Sequence, residues 1–280
     1  MRFPDEMEPH AAVRSTYPPI LTDIEAWQGN RKMSEFLIQE LTQLLAQAES
    51  ITFLTGAGMS TESGIPDFRS SSGIYARGAG EEVFSIERFH AEPTYFYTHA
   101  RDLMVAISNA KPNAGHLAIA SLEHHFGKQV DIVTQNIDTL HQEAGSTRVH
   151  PVHGTVETCS CTRCHYRISS DQIWQSVLDG DIPPRHPGCG GIFKPDITFF
   201  GEALPLEPLA RSQRAIAGAD LLVVAGTSLV VYPAAGLPSI RSFKSRLAVI
   251  NRTKTHLDRE AALVLRGRAA HVLSRAIDVL

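Results

Sequence analysis

The stretch from Ile51 to Arg69, ITFLTGAGMSTESGIPDFR, constrains this chain more than any other. It reads as an apolar strand running straight into a glycine-rich turn, followed by small hydroxyl residues and a Pro66-Asp67-Phe68-Arg69 tip. Glycines after a strand let backbone N–H groups approach a phosphate, because no Cβ stands in the way. A nucleotide or dinucleotide is the expected ligand. The fingerprint of ordinary dinucleotide folds is Gly-x-Gly-x-x-Gly or Ala. Gly56 and Gly58 fit it, but Thr61 holds the third position and the next glycine is Gly64. A polar residue where helix–strand packing is expected points to a loop with its own chemistry.

The rest of the chain repeats the theme. Short apolar runs at Ile51–Leu54, Val130–Thr134, Val149–Val152, Leu221–Ala225 and Leu247–Ile250 read as strands. Helical periodicity separates them at Ser34–Ala48 (with Ser34 as N-cap), Phe84–Asn109, His116–Phe126, Leu140–Glu143 and Leu209–Ala217. Pro238 to Lys244 reads as partly helical, and the last stretch through Leu280 as helical or mixed. Strands alternating with helices give an α/β fold: a Rossmann-like parallel sheet with helices on both faces. Gly56, Gln135, His153, Gly226 and Asn251 each follow a strand. Ligands of open α/β sheets bind at the carboxyl ends of strands, so one crevice can collect all five.

A chain of 280 residues with 43% hydrophobic and 20% charged residues can bury a full core. A net charge of −4 without basic runs gives no support for nucleic-acid binding. No apolar stretch reaches the ~18 residues of a membrane span, and the first ten residues lack the apolar region of a secretory signal. A cytoplasmic location follows. Residues 1–30, rich in Pro, Glu and polar side chains, read as a partly disordered extension that Trp27 could dock; residues 70–82 read as a flexible loop.

The local chemistry leaves alternatives open. Phe68 and Arg69 suit a flat ring and a phosphate. Gln135-Asn136-Ile137-Asp138 offers amides and a carboxylate for a sugar and a carboxamide, or else Asn136 or Asp138 merely caps a helix. His153 is a candidate general base. Cys161-x-x-Cys164 is half of a tetrahedral thiolate site; its second half is His186-Pro187-Gly188-Cys189, which gives Cys₃His, with Cys159 as an alternative fourth ligand. Four protein ligands make the metal structural. Free buried thiols are the nonmetal alternative.

These elements, in this order, resemble the sirtuin family of NAD-dependent protein deacylases. Gly56-Ala57-Gly58 with Ser63 to Arg69, Thr134 to His141, His153-Gly154-Thr155, Lys194 to Glu202, Gly226 to Pro233 and Ile250-Asn251 carry the likeness, over about residues 33–275. The resemblance implies a Rossmann-like NAD-binding domain (31–155 and 195–280, with 70–112 as a flexible loop and the helical part of a small domain) and a zinc module (156–194). It implies that NAD is consumed to release nicotinamide, free lysine and O-acyl-ADP-ribose. His153, Asn136 and Asp138 become the catalytic group, with Asp138 on the nicotinamide carboxamide. His153 takes a proton from a ribose hydroxyl. Gly56, Ala57, Gly58, Ser60, Thr61, Ile65, Pro66, Asp67, Phe68, Arg69, Gln135, Ile137, Gly226, Thr227, Ser228, Asn251, Arg252 and Ala270 are expected around NAD, with Phe68 shielding the reactive sugar. Thr198, Phe200, Gly201, Glu202, Val230, Val231 and Tyr232 are expected around an acyl-lysine peptide, added as a strand. Thr198 stands where an apolar residue is common. The Tyr-x-x-Arg pair of members that prefer acidic acyl groups is absent: Tyr97 and Arg101 are one residue too far apart, so neutral acyl groups such as acetyl are expected. Protein ADP-ribosyltransfer, NAD hydrolysis, or a non-catalytic NAD-sensing role are the competing functions.

Overall fold

The computed structural model describes residues 20–23, 31–70, 73–75 and 80–280. Seven parallel strands form one sheet in the order β1-β10-β9-β8-β2-β3-β4. These are β1 (Ile20–Asp23), β2 (Ser50–Thr55), β3 (Gln129–Thr134), β4 (Val149–Pro151), β8 (Leu221–Ala225), β9 (Arg246–Ile250) and β10 (Leu263–Arg266). The central strands are apolar on both faces, as a parallel sheet covered on both sides requires. Ile51, Phe53, Ile132, Val223, Ile250 and Leu265 pack under helices α1 (Arg31–Gln47), α4 (Ala114–His124) and α8 (Ala269–Ile277). Leu54, Val133, Leu222, Val224, Val249 and Val264 face the other way, with Ile216 of α7 (Leu206–Gly218) and Leu237.

From β2 the chain moves through β3 to β4 on one side; β8, β9 and β10 lie on the other. The order therefore reverses between β2 and β8, and a crevice opens above their carboxyl ends.

A second, antiparallel sheet has the order β6-β5-β7, from β5 (Gly154–Cys161), β6 (Arg167–Ser169) and β7 (Phe193–Ile197). It extends slightly beyond 156–194 at both ends. Helices α2 (Ile86–Ala91), α3 (Pro93–Asn109) and α6 (Ser170–Leu178) share one apolar cluster with it, built on Phe84, Phe89, Phe96, Tyr97, Phe193 and Phe199. Their rings meet mostly edge to face at 5–6 Å, a favoured aromatic geometry.

The structure specifies several of these segments further. The segment 1–30 contains an ordered strand: Ile20–Asp23 pairs in parallel with Leu263–Arg266 as the sheet edge, while 1–19, with 24–30 and Trp27, lie outside the described residues. Of the loop 70–82, residues 71, 72 and 76–79 lie outside them too. Helix α1 starts at Arg31, so Ser34 is not its cap; Arg, Lys and Met are good helix formers and add a turn. The stretch after Thr253 contains β10, whose apolar run Leu263 to Leu265 is too short for periodicity to tell strand from helix. Helix α4 starts at Ala114, capped by Asn113, and stops before Gly127, which takes φ +62°. Among the described residues no helix is long and apolar enough to cross a membrane.

Two histidines lie in the core where α4 meets α5 (Leu140–Glu143). His116 and His141 are fully buried, their rings edge to face at 4.7 Å. Asn113 N–H donates to His116 Nδ1 at 3.3 Å, and His116 Nε2 has no partner. Burial pushes the His116 pKa down to about 4 and that of His141 well below its usual value. The unfolded chain takes up a proton near pH 6.5, the folded one only near 4. This part of the stability is thus complete above about pH 6.5 and declines as pH falls toward about 4, by on the order of 3 kcal/mol for His116. Urea unfolding measured between about pH 7 and 5 is expected to show that decline, and His116→Gln to flatten it. An unchanged slope in the variant would exclude His116 as its source.

Candidate active site

The glycine loop is held by the loop after β8. Gly56 N–H donates to Ala225 C=O at 3.2 Å, and Gly58 N–H to Gly226 C=O at 2.8 Å. A Cβ on Gly58 would stand 2.9 Å from Gly226 Cα, and one on Gly56 would stand 2.7 Å from Thr227 Cβ. The sequence pattern suggested glycines kept bare for a phosphate. In the structure both glycines are required because two loops cross at backbone contact, and both N–H groups serve that crossing. Asn113 ties the same loop to α4, its Nδ2 donating to Met59 C=O at 2.9 Å and Ser63 Oγ at 3.0 Å.

Ser60, fully buried, links the loop to the residues after β3. Its Oγ donates to Asp138 Oδ2 at 2.8 Å and accepts from Asn136 Nδ2 at 3.0 Å. Leu140 N–H donates to Asp138 Oδ1 at 3.2 Å. Burial raises the Asp138 pKa; the bonds from Ser60 and Leu140 oppose the rise. Asp138 accepts from Leu140 N–H, the first residue of α5, from the place before its N-cap Thr139, and it also lines the cavity.

Next to it, His153 Nδ1 lies 2.9 Å from Gln135 C=O. A carbonyl only accepts, so Nδ1 carries the proton and Nε2 keeps a lone pair. Burial lowers the His153 pKa, with the Gln135 bond working against it. Gln135 Nε2 donates to Thr227 Oγ1 at 3.0 Å, which joins the strand ends of β3 and β8.

The glycine loop, Ser60, Gln135, Asn136, Asp138, His153 and Thr227 line one cavity of about 810 Å³, within the range of small-molecule sites. Gly56 to Gly58, Ser60, Thr61, Ile65 to Arg69, Gln135 to Asp138, His153, Gly226 to Ser228, Asn251 and Arg252 lie around it, as do Thr198, Phe200 to Glu202 and Val230 to Tyr232. Ala270 does not: it is fully buried against Gly115 of α4, and Ala269 lines the cavity instead, with Gly267 and Arg268. These three follow β10, and a segment that reads as helical or mixed offers no clear strand end to find them. Tyr75, Phe84, Leu103 and Ile107 also line it. Phe68 packs at 5.7 Å on Tyr75 and 5.9 Å on Phe84, and Arg69 pairs with Glu81 at 3.4 Å.

The residues from Gly56 to Pro233 match the model of the Sir2 family. The chain belongs to the Sir2, or sirtuin, family. It is 38% identical over 246 residues to "NAD-dependent protein deacetylase 1" of Pyrobaculum aerophilum, covering 87% of this chain and 94% of that protein. It is 42% identical to the "NAD-dependent protein deacetylase" of Clostridium acetobutylicum, covering 86% and 98%. Among solved structures, "Sir2-p53 peptide-NAD+" is similar with a TM-score of 0.79 and 36% identity, covering 86% of this chain and 98% of that one. The strand-end cavity of this sirtuin thus sits on the fold of proteins solved with NAD and peptide.

The sirtuin's second candidate site is a cluster of Cys161, Cys164, His186 and Cys189, whose ligand atoms all lie within 4.8 Å of one another. Cys161 and Cys189 sulfurs are 3.5 Å apart, and His186 Nδ1 is 3.4 Å from Cys164 Sγ and 3.2 Å from Cys189 Sγ. Three thiols and an imidazole converging at this spacing fit a tetrahedral zinc ion held through Nδ1. A Cβ on Gly191 would stand 2.5 Å from Cys161 Sγ, so the cluster dictates that glycine. Tyr166 stacks on the His186 ring at 5.0 Å and fixes its plane. Cys159 is excluded as a ligand: it is buried away from the cluster, its sulfur 3.2 Å from Ser170 Oγ, and burial pushes its thiol up to about 12. Metal analysis of purified protein is expected to show zinc lost or sharply reduced in His186→Ala and Cys164→Ser, and full in Cys159→Ala. Full zinc in His186→Ala would exclude His186.

Proposed function

We propose that this sirtuin is an NAD-dependent protein lysine deacylase, releasing nicotinamide, free lysine and O-acyl-ADP-ribose. One observation carries the reading: His153, with a fixed tautomer, and the Ser60-Asn136-Asp138 network line one cavity together with the glycine loop and the exposed edge of the Phe200–Glu202 loop. Bound NAD supplies an electrophilic ribose carbon and a leaving nicotinamide. The protein does the rest. Asp138, held by Ser60 and Leu140, presents its carboxylate to the carboxamide N–H groups. Asn136 and Gln135 orient ribose hydroxyls or a water. His153 Nε2 accepts a proton from a ribose hydroxyl; its lowered pKa keeps it neutral and ready at pH 7. Phe68, anchored on Tyr75 and Phe84, covers the reacting sugar and excludes returning nicotinamide. Thr227, Ser228, Asn251 and Arg252 serve the adenosine half. The peptide adds as a strand between Gly201-Glu202 and Val230-Val231-Tyr232, where Val230 and Tyr232 are exposed. Reduced cysteines for metal binding agree with a cytoplasmic location.

The cavity wall supports neutral acyl groups. Tyr97 is fully buried, its hydroxyl donating to Phe193 C=O, and Arg101 is exposed; neither lines the cavity. Leu103 and Ile107 are the α3 residues that do, and they offer a carboxylate no partner. Desolvating an unpaired carboxylate there is costly.

Two measurements test this reading. With an acetyl-lysine peptide and NAD, His153→Ala is expected to lower turnover by about 10²–10⁴-fold with NAD affinity retained, and the wild-type acid limb to lie below about pH 6.5. Turnover unaffected in the variant, or free ADP-ribose as the sole product, would overturn the deacylase reading. Comparing acyl groups on one peptide, acetyl is expected to exceed succinyl by at least about tenfold in kcat/KM; the reverse order would overturn the acyl preference.

A further inference from the structure

We propose that Lys194 is a positioning residue for peptide binding, shaping the Thr198–Glu202 loop from beneath; this rests on the deacylase reading above. Lys194 lies in β7, opposite Ser160 of β5, and its side chain is 14% exposed. A buried ammonium is stable only when its charge and its three donors are satisfied. Here two carbonyls of its own strand and the loop's Glu202 satisfy them. Nζ donates to Ile197 C=O at 2.9 Å, pairs with Glu202 Oε2 at 2.9 Å, and has Pro195 C=O at 3.4 Å. It also sits 4.3 Å from the centre of the Phe199 ring.

The partners lie at both ends of the turn. Glu202 Oε2 accepts from Phe199 N–H at 2.7 Å, and Glu202 N–H donates to Phe199 C=O at 3.0 Å. Gly201, at φ +92°, makes the reversal between them. The chain from Phe199 to Glu202 is thus folded around one cation, with a single carboxylate oxygen shared between the ammonium and the backbone. The outer side of the turn carries Phe200, Gly201 and Glu202 along the cavity. Its start is fastened to the base: Thr198 N–H donates to His153 C=O at 2.8 Å. Lys194 therefore fixes the distance between the edge that takes the peptide and the histidine that acts on the sugar. It contacts neither ligand, so its effect falls first on the peptide.

An arginine keeps the charge but brings a planar fork in place of a compact three-donor head. It should restore the ion pair to Glu202 without reproducing all the carbonyl contacts. The test is a comparison of Lys194→Met, Lys194→Arg and Glu202→Gln with wild type, using an acetyl-lysine peptide. Lys194→Met is expected to raise peptide KM, and peptide Kd by fluorescence anisotropy, about tenfold, while NAD KM changes less than about twofold and kcat falls less than KM rises. Lys194→Arg is expected to recover part of the loss, and Lys194→Met combined with Glu202→Gln to cost no more than the larger single change, because the two act as one unit.

Equal effects on peptide and NAD affinity, or a Lys194→Arg variant as impaired as Lys194→Met, would show a purely structural role and overturn the proposal. If Lys194→Met does not fold, Lys194→Gln and Lys194→Arg decide the matter on the same readouts, because Lys194 does not line the cavity whereas Glu202 does. Anisotropy separates the two claims: a wild-type chain that binds acyl peptide without turnover refutes deacylation, whereas deacylation with unaltered peptide binding in the variants refutes only the role of Lys194.

Discussion

The backbone crossing of Gly58 and Gly226 at the point where the strand order reverses is the constraint on which the site depends. Two loops leave adjacent strands, β2 and β8, and meet so closely that a Cβ on Gly226 would stand 2.5 Å from Met59 N. Such an approach is possible only for glycine, and at φ +64° Gly226 also adopts a conformation that other residues pay strain to reach. The crossing turns the first loop sideways over the strand ends. Ser60 then arrives beneath Asn136 and Asp138, and Thr61 to Arg69 arch over the crevice.

From that point the polar groups are held by one another. Ser60 bridges Asn136 and Asp138; Gln135 reaches Thr227 through its side chain and His153 through its carbonyl. Side chains from three strand ends thus have fixed orientations before any ligand arrives. Preorganised dipoles need no rearrangement as charge develops during reaction, and such electrostatic stabilisation is usually the largest single term in catalysis. One cause acts on both groups. Burial drives the Asp138 and His153 pKa values in opposite directions, toward each other, and the local hydrogen bonds oppose both shifts. The arrangement keeps an acceptor on the imidazole at neutral pH without a second carboxylate to charge it.

The strand ends were legible because a parallel sheet announces itself twice, by an apolar run and by the polar or glycine residue that stops it. Ile51–Gly56, Val130–Gln135 and Leu221–Gly226 show both signals. β10 shows a short run in an otherwise helical segment, and β1 lies in a polar extension, so both strands, and the cavity residues Gly267 to Ala269, depend on pairing partners far away in sequence. The same holds for Leu103 and Ile107: their helical spacing marks a buried face, but not which face of α3 meets the cavity. Sequence resolved the residue types at the metal cluster and left the fourth ligand open between His186 and Cys159. Position decides it, since Cys159 and Cys161 are two apart on β5 and share a face, yet only Cys161 reaches the turn that carries Cys164.

The metal cluster and the start of the Thr198–Glu202 loop are two ends of one ladder. β5 leaves His153 through Gly154 and ends at Cys161; β7 runs back beside it from Phe193, opposite Cys161, to Ile197, opposite Gly154. Gly154 must be glycine: it takes φ +75°, and a Cβ there would collide with Asp196 C=O. Its tight fit and the cluster clamp the ladder at opposite ends, with an irregularity in register between Gly154 and Cys159. A slip of one residue would turn every side chain of β7 to the other face. Lys194 would then leave the Phe199–Glu202 turn, and Thr198 would lose its bond to His153. A structural metal at this cluster can therefore govern the Thr198–Glu202 loop and its tie to His153 through strand register, with no part in the chemistry.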